Sequence, residues 1–514
     1  MEFDLLGGSL LWRLLGRILD GIEASARRSL LVRIITNIRL WAQASLIVRA
    51  CTRIADGFGR SLQDSAIIGR LLKEDEAGQF KERGLFFRVY IWLLGLSRRI
   101  YHALRLDKLF AGSVLLRTYI FAIFAMTVAP LLPTMAVLGL VIVSILSLCA
   151  AMLQDRDRTL TYSAVNKYVW LYMFVYALAT LASVTPRGSL QVGLITICFV
   201  GFYHVLVSGI QTRRQLRFLI GALAAAGAMV GVYGILQFLL PGTFAPAAAW
   251  LDEEMFDFAR VVGTLANPNV LGTYFLLVLP LTFAGLLISR TNQGRLYFLG
   301  CAGIMCLCLV LTFSRGAYLG ILFAAAVFAL LLDRRFIVPG ILAVIVIFLA
   351  MPEAIIHRFF SIGDLTDTST SYRVFIWLGT ISMLRDYWFS GVGPGEAAWD
   401  MVYPAYSFAT IIAPHSHNLF LQITVDAGAP GLLVFLAVIY QYLKASFAAL
   451  RRKVQGAQRF LVIAGISAVV GFLVMSMTDY TFYNFRVLLF FWAVLAVGVI
   501  ATRYDKLDEG GTSE

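Results

Sequence analysis

Long uninterrupted runs of apolar residues recur along most of this 514-residue chain. An α-helix needs about 20 consecutive apolar residues to cross the hydrocarbon core of a bilayer. From residue 113 onward such runs follow one another at regular intervals, and we predict an all-α, polytopic membrane protein with about twelve spans. The predicted spans are 114–132, 134–153, 165–183, 189–210, 216–240, 268–288, 296–313, 317–332, 336–351, 418–442, 460–478 and 487–502.

The composition supports this prediction. The chain is 60% hydrophobic and only 14% charged, whereas soluble globular proteins carry about 25% charged residues. A water-soluble enzyme and a disordered chain are therefore excluded. An outer-membrane barrel is excluded as well, because barrel strands alternate apolar and polar residues and these runs are continuous.

The first 112 residues have a different pattern. They hold 18 of the 43 Lys and Arg residues and no uninterrupted apolar run of spanning length. In residues 10–20 the leucines and isoleucines share one helical face, with Arg13, Arg17 and Asp20 on the other, as in a helix that lies in the membrane interface. The stretches 29–50 and 85–105 repeat this pattern. We therefore predict a basic, amphipathic interfacial region at 1–112, with a docking arm for a partner protein as the alternative.

The remaining chain is predicted to form one twelve-helix membrane domain at 113–503 and a cytoplasmic tail at 504–514. The net charge of +13 could indicate nucleic-acid binding, but in a membrane protein Lys and Arg accumulate in cytoplasmic loops. With a cytoplasmic N-terminus, seventeen loop cations fall on the cytoplasmic side and seven on the outer side, and both termini are cytoplasmic. The outer cations are Arg187, Arg260, Arg315, Arg358, Arg373, Arg385 and Arg486.

The longest predicted outer loop, residues 352–417, contains or borders three of the five histidines, His357, His415 and His417. A loop of this length with no apolar run is usually functional. It is too short for a separate soluble catalytic domain of ordinary size. We therefore expect any active site to be shared between this loop and the outer ends of the helices.

Two outer arginines are candidates for binding an anion. Arg315 lies between two apolar spans, and Arg373 opens an amphipathic stretch within the large loop. The planar guanidinium group fits phosphate through two parallel hydrogen bonds. The alternatives are that Arg315 extends to the membrane interface from a hairpin and that Arg373 forms a salt bridge with Asp364 or Asp367.

The pair His415 and His417 precedes the tenth span. Two histidines at this spacing can bind a metal, but the sequence spacing places no third ligand, so we predict no metal. Histidine is also the commonest general base, because its proton exchanges near neutral pH. Five of the six cysteines lie in apolar runs without a CxxC pair, which indicates packing residues.

These segments together resemble the O-antigen ligase and polymerase superfamily. His417-Asn418, followed after nine residues by Gly428, is similar to the family pattern of His, then Asn, Ser or Gln, nine residues, then Gly; a later Gly, Thr or Tyr of that pattern falls on Leu433 here. The pattern selects His417 rather than His415. The other matching segments are Ser314-Arg315-Gly316-Ala317, Tyr372-Arg373 with Trp377, Gly391-Val392-Gly393 with Gly395, and Gly263 with Asn267-Pro268-Asn269.

The resemblance implies a GT-C-like glycosyltransferase of the bacterial cytoplasmic (inner) membrane, without a cofactor and independent of metals. It would transfer a glycan from undecaprenyl diphosphate to an acceptor hydroxyl on a glycan or lipid at the outer face, as in lipopolysaccharide and cell-envelope biogenesis. Residue by residue, Arg315 and Arg373 match the diphosphate-binding positions and His417 matches the catalytic position. The resemblance also implies that membrane lipids surround the protein and that no nucleic acid is a partner.

Direct displacement at the anomeric carbon would invert its configuration. Asn418 is expected to hold His417 in place, and Asn267, Asn269 and Gly428 are further supporting candidates. Asp479, at an outer helix end, is predicted either to contact sugar or to serve as a cap or interfacial anchor. Asp426 lies about 13 Å along a helix from His417, too far for direct contact.

Two other classes of function remain open at this point. A chain with twelve spans can be a transporter of a small anion such as bicarbonate, although no internal repeat is visible and most candidate charges lie at the outer edge. A non-catalytic membrane scaffold is the other alternative. Within the family, the sequence does not separate a ligase from a polymerase.

Overall fold

The computed structural model describes residues 85–155, 157–240, 260–333, 368–452 and 454–508. These segments form fifteen α-helices and no strand, so the predicted all-α fold is confirmed. The helices are α1 (Leu85–Ala103), α2 (Leu106–Phe110), α3 (Thr118–Val128), α4 (Thr134–Gln154), α5 (Asn166–Leu181), α6 (Pro186–Gly209), α7 (Arg213–Leu239), α8 (Pro268–Ile288), α9 (Asn292–Val310), α10 (Arg315–Leu332), α11 (Thr368–Tyr387), α12 (Glu396–Val402), α13 (Leu419–Arg451), α14 (Gly456–Met475) and α15 (Phe485–Thr502).

Nine of these helices, namely α4, α6 to α10 and α13 to α15, are long and apolar enough to cross a membrane. Two further predicted spans correspond to the shorter helices α3 and α5. The first predicted span, 114–132, is shorter than expected because residues 114–116 form a separate 3-10 turn before α3 begins. The predicted span 336–351 lies outside the described residues, so a total of twelve spans stays a prediction.

Helix α15 lies at the centre of the bundle. Every side chain from Val487 to Ala501 is buried, and the helix packs against α6 and α14. Aromatic rings fill the space beside it: Trp492 lies 5.4 Å from Tyr172 between ring centroids, and Phe491 lies 4.6 Å from Phe472. Since lipid is as apolar as these side chains, such close packing is what favours helix association in a bilayer.

Helices α10 and α14 approach each other closely through two glycines. A Cβ atom on Gly471 would lie 2.7 Å from the carbonyl oxygen of Gly320, so only glycine permits this backbone contact. The same contact brings the first turn of α10 beside the end of α14. There a Cβ atom on Gly316 would lie 3.2 Å from Oγ1 of Thr478.

The large predicted loop is anchored in a break of helix α13. At Gly428 the backbone has φ +65°, and a Cβ atom there would overlap the carbonyl oxygen of Phe389. On either side of the break, Ala429 N donates to Trp388 O at 2.7 Å and Val392 N donates to Val425 O at 2.7 Å. The structure therefore places the supporting candidate Gly428 at this joint and not beside His417.

Only part of the predicted interfacial region can be compared with the structure, because residues 1–84 lie outside the described segments. Helix α1 corresponds to the predicted stretch 85–105. Its Arg98 guanidinium donates to the carbonyl oxygens of Met152, Asp155 and Arg158 at 2.7–3.0 Å, while Trp92 stays exposed. The helix is thus attached to the end of α4, and the boundary at residue 112 stays a prediction.

We expect Gly428→Ala to lower the midpoint of thermal unfolding in detergent. A non-glycine residue at positive φ is strained by about 1–3 kcal/mol, and the added methyl group would also meet the backbone of Phe389. Gly300→Ala is the matched control, since Gly300 lies within α9 with no atom within 4 Å of its Cβ position. Equal midpoints for the two variants would contradict this account of the joint.

Candidate active site

The turn before α13 holds His417 in an uncommon backbone conformation. His417 has φ +47°, in the left-handed region that non-glycine residues seldom adopt. The next residue, Asn418, caps α13: its Oδ1 accepts from the backbone N–H groups of Phe420 and Leu421 at 2.9 and 3.0 Å. Its Nδ2 donates to the carbonyl oxygen of Met477 at 2.8 Å. Asn418 thus fastens the histidine turn to the connection between α14 and α15.

His417 is paired with Asp479, which lies in that connection. Nδ1 of His417 and Oδ1 of Asp479 are 3.3 Å apart. The carboxylate also accepts from the backbone N–H of Tyr480 at 2.8 Å and from Nδ2 of Asn269 at 2.7 Å. When Nδ1 donates to a carboxylate, the neutral ring keeps its lone pair on Nε2. The geometry therefore suits a histidine whose Nε2 accepts a proton.

The electrostatic environment keeps Asp479 ionised. Burial alone would raise the pKa of this carboxyl, but the hydrogen bond with His417 and the nearby charge of Arg373 hold that pKa well below its usual range. An ionised carboxylate here stabilises positive charge on the imidazole of His417. The sequence interpretation of Asp479 was a sugar contact or a cap; the structure gives it His417 as a partner.

His415 is buried and has a different environment. Its ring centroid lies 4.2 Å from that of His417, and its ring stacks on Tyr483 at 5.0 Å. Its Nδ1 accepts from the backbone N–H of His417 at 3.3 Å. Burial, followed by the charges of His417 and Arg373, lowers the pKa of His415 to about 3. His415 is therefore neutral at physiological pH and helps to hold the turn.

Asn269 connects three elements of the site. Its Oδ1 accepts from the Ser314 hydroxyl at 2.7 Å and from Nη2 of Arg260 at 3.2 Å, while its Nδ2 binds Asp479. The neighbouring candidate Asn267 caps α8 by accepting from the backbone N–H groups of Asn269 and Val270. Both asparagines thus order the site from the start of α8.

The two candidate arginines lie on different helices, and both are half-buried. Arg315 is the first residue of α10, directly after Ser314, whose hydroxyl also caps the helix. Arg373 lies on α11, and its charge acts on both Asp479 and His415. The first turn of a helix carries partial positive charge, so the start of α10 adds to the field of Arg315. The arrangement favours an anionic ligand.

His415, His417 and Asp479 also form a group that could hold a metal ion, since their ligand atoms all lie within 4.8 Å of one another. The sequence spacing placed no third ligand, and the structure supplies one in Asp479. Nδ1 of His415 and Nδ1 of His417 already take part in the hydrogen bonds described above. The absence of a metal stays a prediction, and it is tested below.

Sequence reasoning missed two residues of this cluster. Ser314 belongs to a motif that the resemblance included, and its position one residue before an apolar run is the signature of a helix cap. Arg260 was one of seven predicted outer cations, without a motif to single it out. The structure shows that its Nε also donates to the carbonyl oxygen of Thr312 at 3.0 Å, so it supports the turn before α10.

Residues 300–436 match the family model described as O-antigen ligase. This range runs from α9 into α13 and contains Arg315, Arg373 and His417. This part of the chain is therefore similar to the O-antigen ligases. It is also similar to the exopolysaccharide production protein ExoQ of Rhizobium meliloti (strain 1021), with 26% identity over 295 residues. That match covers 53% of this chain and 63% of the relative's length.

These similarities support the predicted superfamily, and the nine described helices that are long and apolar enough to cross a membrane support a multi-pass membrane protein. The family match covers the part of the chain in which the candidate arginines and His417 lie, whereas Asn269 and Asp479 lie outside it. Their place in the site rests on the hydrogen bonds that join them to it.

We expect Asp479→Asn to lower the midpoint of thermal unfolding, and the difference from the unmodified protein to depend on pH. A carboxyl whose pKa is lower in the folded than in the unfolded protein stabilises the fold at pH values above the ordinary Asp pKa of about 3.9. This stabilisation is lost as the pH falls through the pKa of the folded state. The difference should therefore persist at neutral pH and shrink below about pH 4. The control is Asp400→Asn at an exposed position. A difference that is the same at every pH would contradict the account.

Proposed function

We propose that this protein transfers a glycan from undecaprenyl diphosphate to an acceptor hydroxyl on the outer face of the bacterial cytoplasmic membrane. The observation that carries the proposal is the pairing of His417 Nδ1 with the buried carboxyl of Asp479. Despite burial, the hydrogen bond with His417 and the nearby charge of Arg373 hold the pKa of this carboxyl well below its usual range. The match to the O-antigen ligase family supports the class of reaction. The excess of Lys and Arg in the predicted cytoplasmic loops supports a site that faces the outer side of the membrane.

In the proposed reaction, His417 acts as the general base. Nε2 takes the proton of the acceptor hydroxyl while that oxygen forms a bond to the anomeric carbon of the donor. The bond from the anomeric carbon to the diphosphate oxygen breaks, and undecaprenyl diphosphate leaves with the electron pair. Asp479 stabilises the imidazolium that forms. Because the attack and the departure occur on opposite faces of the carbon, the configuration is inverted.

Arg315 and Arg373 bind the diphosphate in this proposal. Negative charge grows on the leaving diphosphate in the transition state, and preorganised cations in a partly dry site stabilise it strongly. Two guanidinium groups can fill the role that Mg²⁺ has in other diphosphate chemistry. The reaction therefore needs no metal.

The relative ExoQ is described as an exopolysaccharide production protein, which favours a surface polysaccharide as the product here. A ligase passes the whole glycan to a lipid or other acceptor, whereas a polymerase passes it to the next repeat unit. Both reactions use the same donor chemistry and the same base. They differ in the acceptor that reaches His417.

We expect His417→Ala, Arg315→Ala and Arg373→Ala each to lower turnover by about 10²-fold or more. The measurement is release of undecaprenyl diphosphate by purified protein supplied with a lipid-linked oligosaccharide and candidate acceptors. Arg385→Ala is the matched control, because Arg385 is exposed on the same helix as Arg373, and its turnover should be unchanged. Turnover that persists in His417→Ala would overturn the proposed base.

EDTA should leave this turnover unchanged, because the arginines bind the diphosphate without a metal. NMR of the product should show the anomeric configuration opposite to that of the donor. Activity that EDTA abolishes and that Mg²⁺ or Zn²⁺ restores would contradict the metal-free mechanism. In that case His415, His417 and Asp479 would be the first residues to test as ligands.

A further inference from the structure

A cavity of about 400 Å³ lies directly beside the histidine turn. Its walls come from α5, α6, α12, α13, the start of α15 and the connection between α14 and α15, and His415 forms part of them. The volume falls within the range of about 300–1,000 Å³ that small-molecule sites have. The proposed mechanism so far makes no use of this cavity.

The charge of the cavity differs from that of the arginine cluster. The described residues that line it include the carboxyl groups of Glu396 and Asp426, whereas neither Arg315 nor Arg373 is among them. Carboxyl groups do not attract a diphosphate. The cavity is therefore distinct from the place where the donor diphosphate would bind.

Asp426 is the polar centre of the cavity wall. It is 2% exposed, and its carboxyl oxygens accept from the Tyr176 hydroxyl and from Nε2 of Gln422, each at 2.9 Å. A carboxylate has about four lone-pair sites, so capacity remains for a ligand hydroxyl. Oε1 of Gln422 accepts from the backbone N–H of Ser416 at 2.8 Å, which ties this polar group to the histidine turn.

His415 lies in the same wall. Its Nδ1 accepts from the backbone N–H of His417, and the neutral ring therefore carries its proton on Nε2. Around these polar groups the lining is strongly aromatic and includes Trp399, Tyr480 and Tyr483. Trp399 is fixed by its own hydrogen bond from Nε1 to the carbonyl oxygen of Ala413 at 2.6 Å.

A pyranose matches this lining. Its ring faces are apolar and pack on aromatic rings, while its rim of hydroxyl groups needs a few placed donors and acceptors, as ligand sites generally provide. We propose that the cavity binds a neutral pyranose unit of the acceptor glycan and disfavours sugars that carry a carboxylate. This inference rests on the proposed function. The acceptor is assigned because the ring of His415, in the cavity wall, lies 4.2 Å from the ring of the proposed base.

The first test measures binding without turnover. Saturation-transfer NMR on the detergent-purified protein would compare glucose and N-acetylglucosamine with glucuronate. We expect saturable signals from one or both neutral sugars and none from glucuronate. Equal signals from glucuronate, or none from any sugar, would overturn the proposal.

Two variants locate the binding. Val192→Phe places a larger side chain in the cavity wall and should weaken sugar binding at least about tenfold, whereas the control Val184→Phe, outside the lining, should have no effect. Asp426→Asn removes an acidic group. It should therefore reduce the difference between the binding signals of the neutral sugars and that of glucuronate. Loss of binding in Val184→Phe to the same degree as in Val192→Phe would contradict the assignment.

The second test uses the transfer assay. Val192→Phe should raise the KM for the acceptor and leave the KM for the lipid-linked donor unchanged; the reverse would overturn the assignment to the acceptor. The results separate a failure of the cavity assignment from a failure of the proposed function. If sugars bind but His417→Ala retains full turnover, the proposed base is wrong. If His417→Ala is inactive but no sugar binds, only the cavity assignment is wrong.

Discussion

A buried carboxylate at the end of an apolar helix bundle is the constraint on which the site depends. An ionised group in such a place is tolerated only when charges and hydrogen bonds compensate for its lost hydration. The hydrogen-bond partners of Asp479 are His417, Asn269 and the backbone N–H of Tyr480. The charge of Arg373 is nearby. Each partner comes from a different element, so stabilising this one charge also brings together the start of α8, the turn before α13 and helix α11.

The N-termini of three helices also contribute to the electrostatics of the site. Helices α8, α10 and α13 begin with side-chain caps from Asn267, Ser314 and Asn418. Asn269 in the first turn of α8 and Asn418 at the start of α13 contact the connection that carries Asp479, and Ser314 at the start of α10 binds Asn269. Helix starts favour anions. The backbone itself therefore adds to a positive field at this end of the bundle, beside a cavity whose own side chains are acidic.

The sequence could predict much of the fold because a bilayer imposes a length and an apolar composition on every span. It could also single out Arg315, Arg373 and His417, since each stands in a short motif. It could not predict that Asp479 pairs with His417, because the two are 62 positions apart and only the packing of α13 against α14 and α15 brings them together. The role of Asp426 in a cavity wall could not be predicted either, because it depends on a contact with Tyr176 from a distant helix.

The central claim is that His417 and Asp479 act as one unit, and a double-mutant cycle on turnover tests it most directly. The cycle compares His417→Ala, Asp479→Asn and the double variant in release of undecaprenyl diphosphate. If the carboxylate acts through the histidine, Asp479→Asn lowers turnover in the unmodified background and has no further effect when His417 is already alanine. Losses that simply multiply in the double variant would show two independent roles and contradict the account.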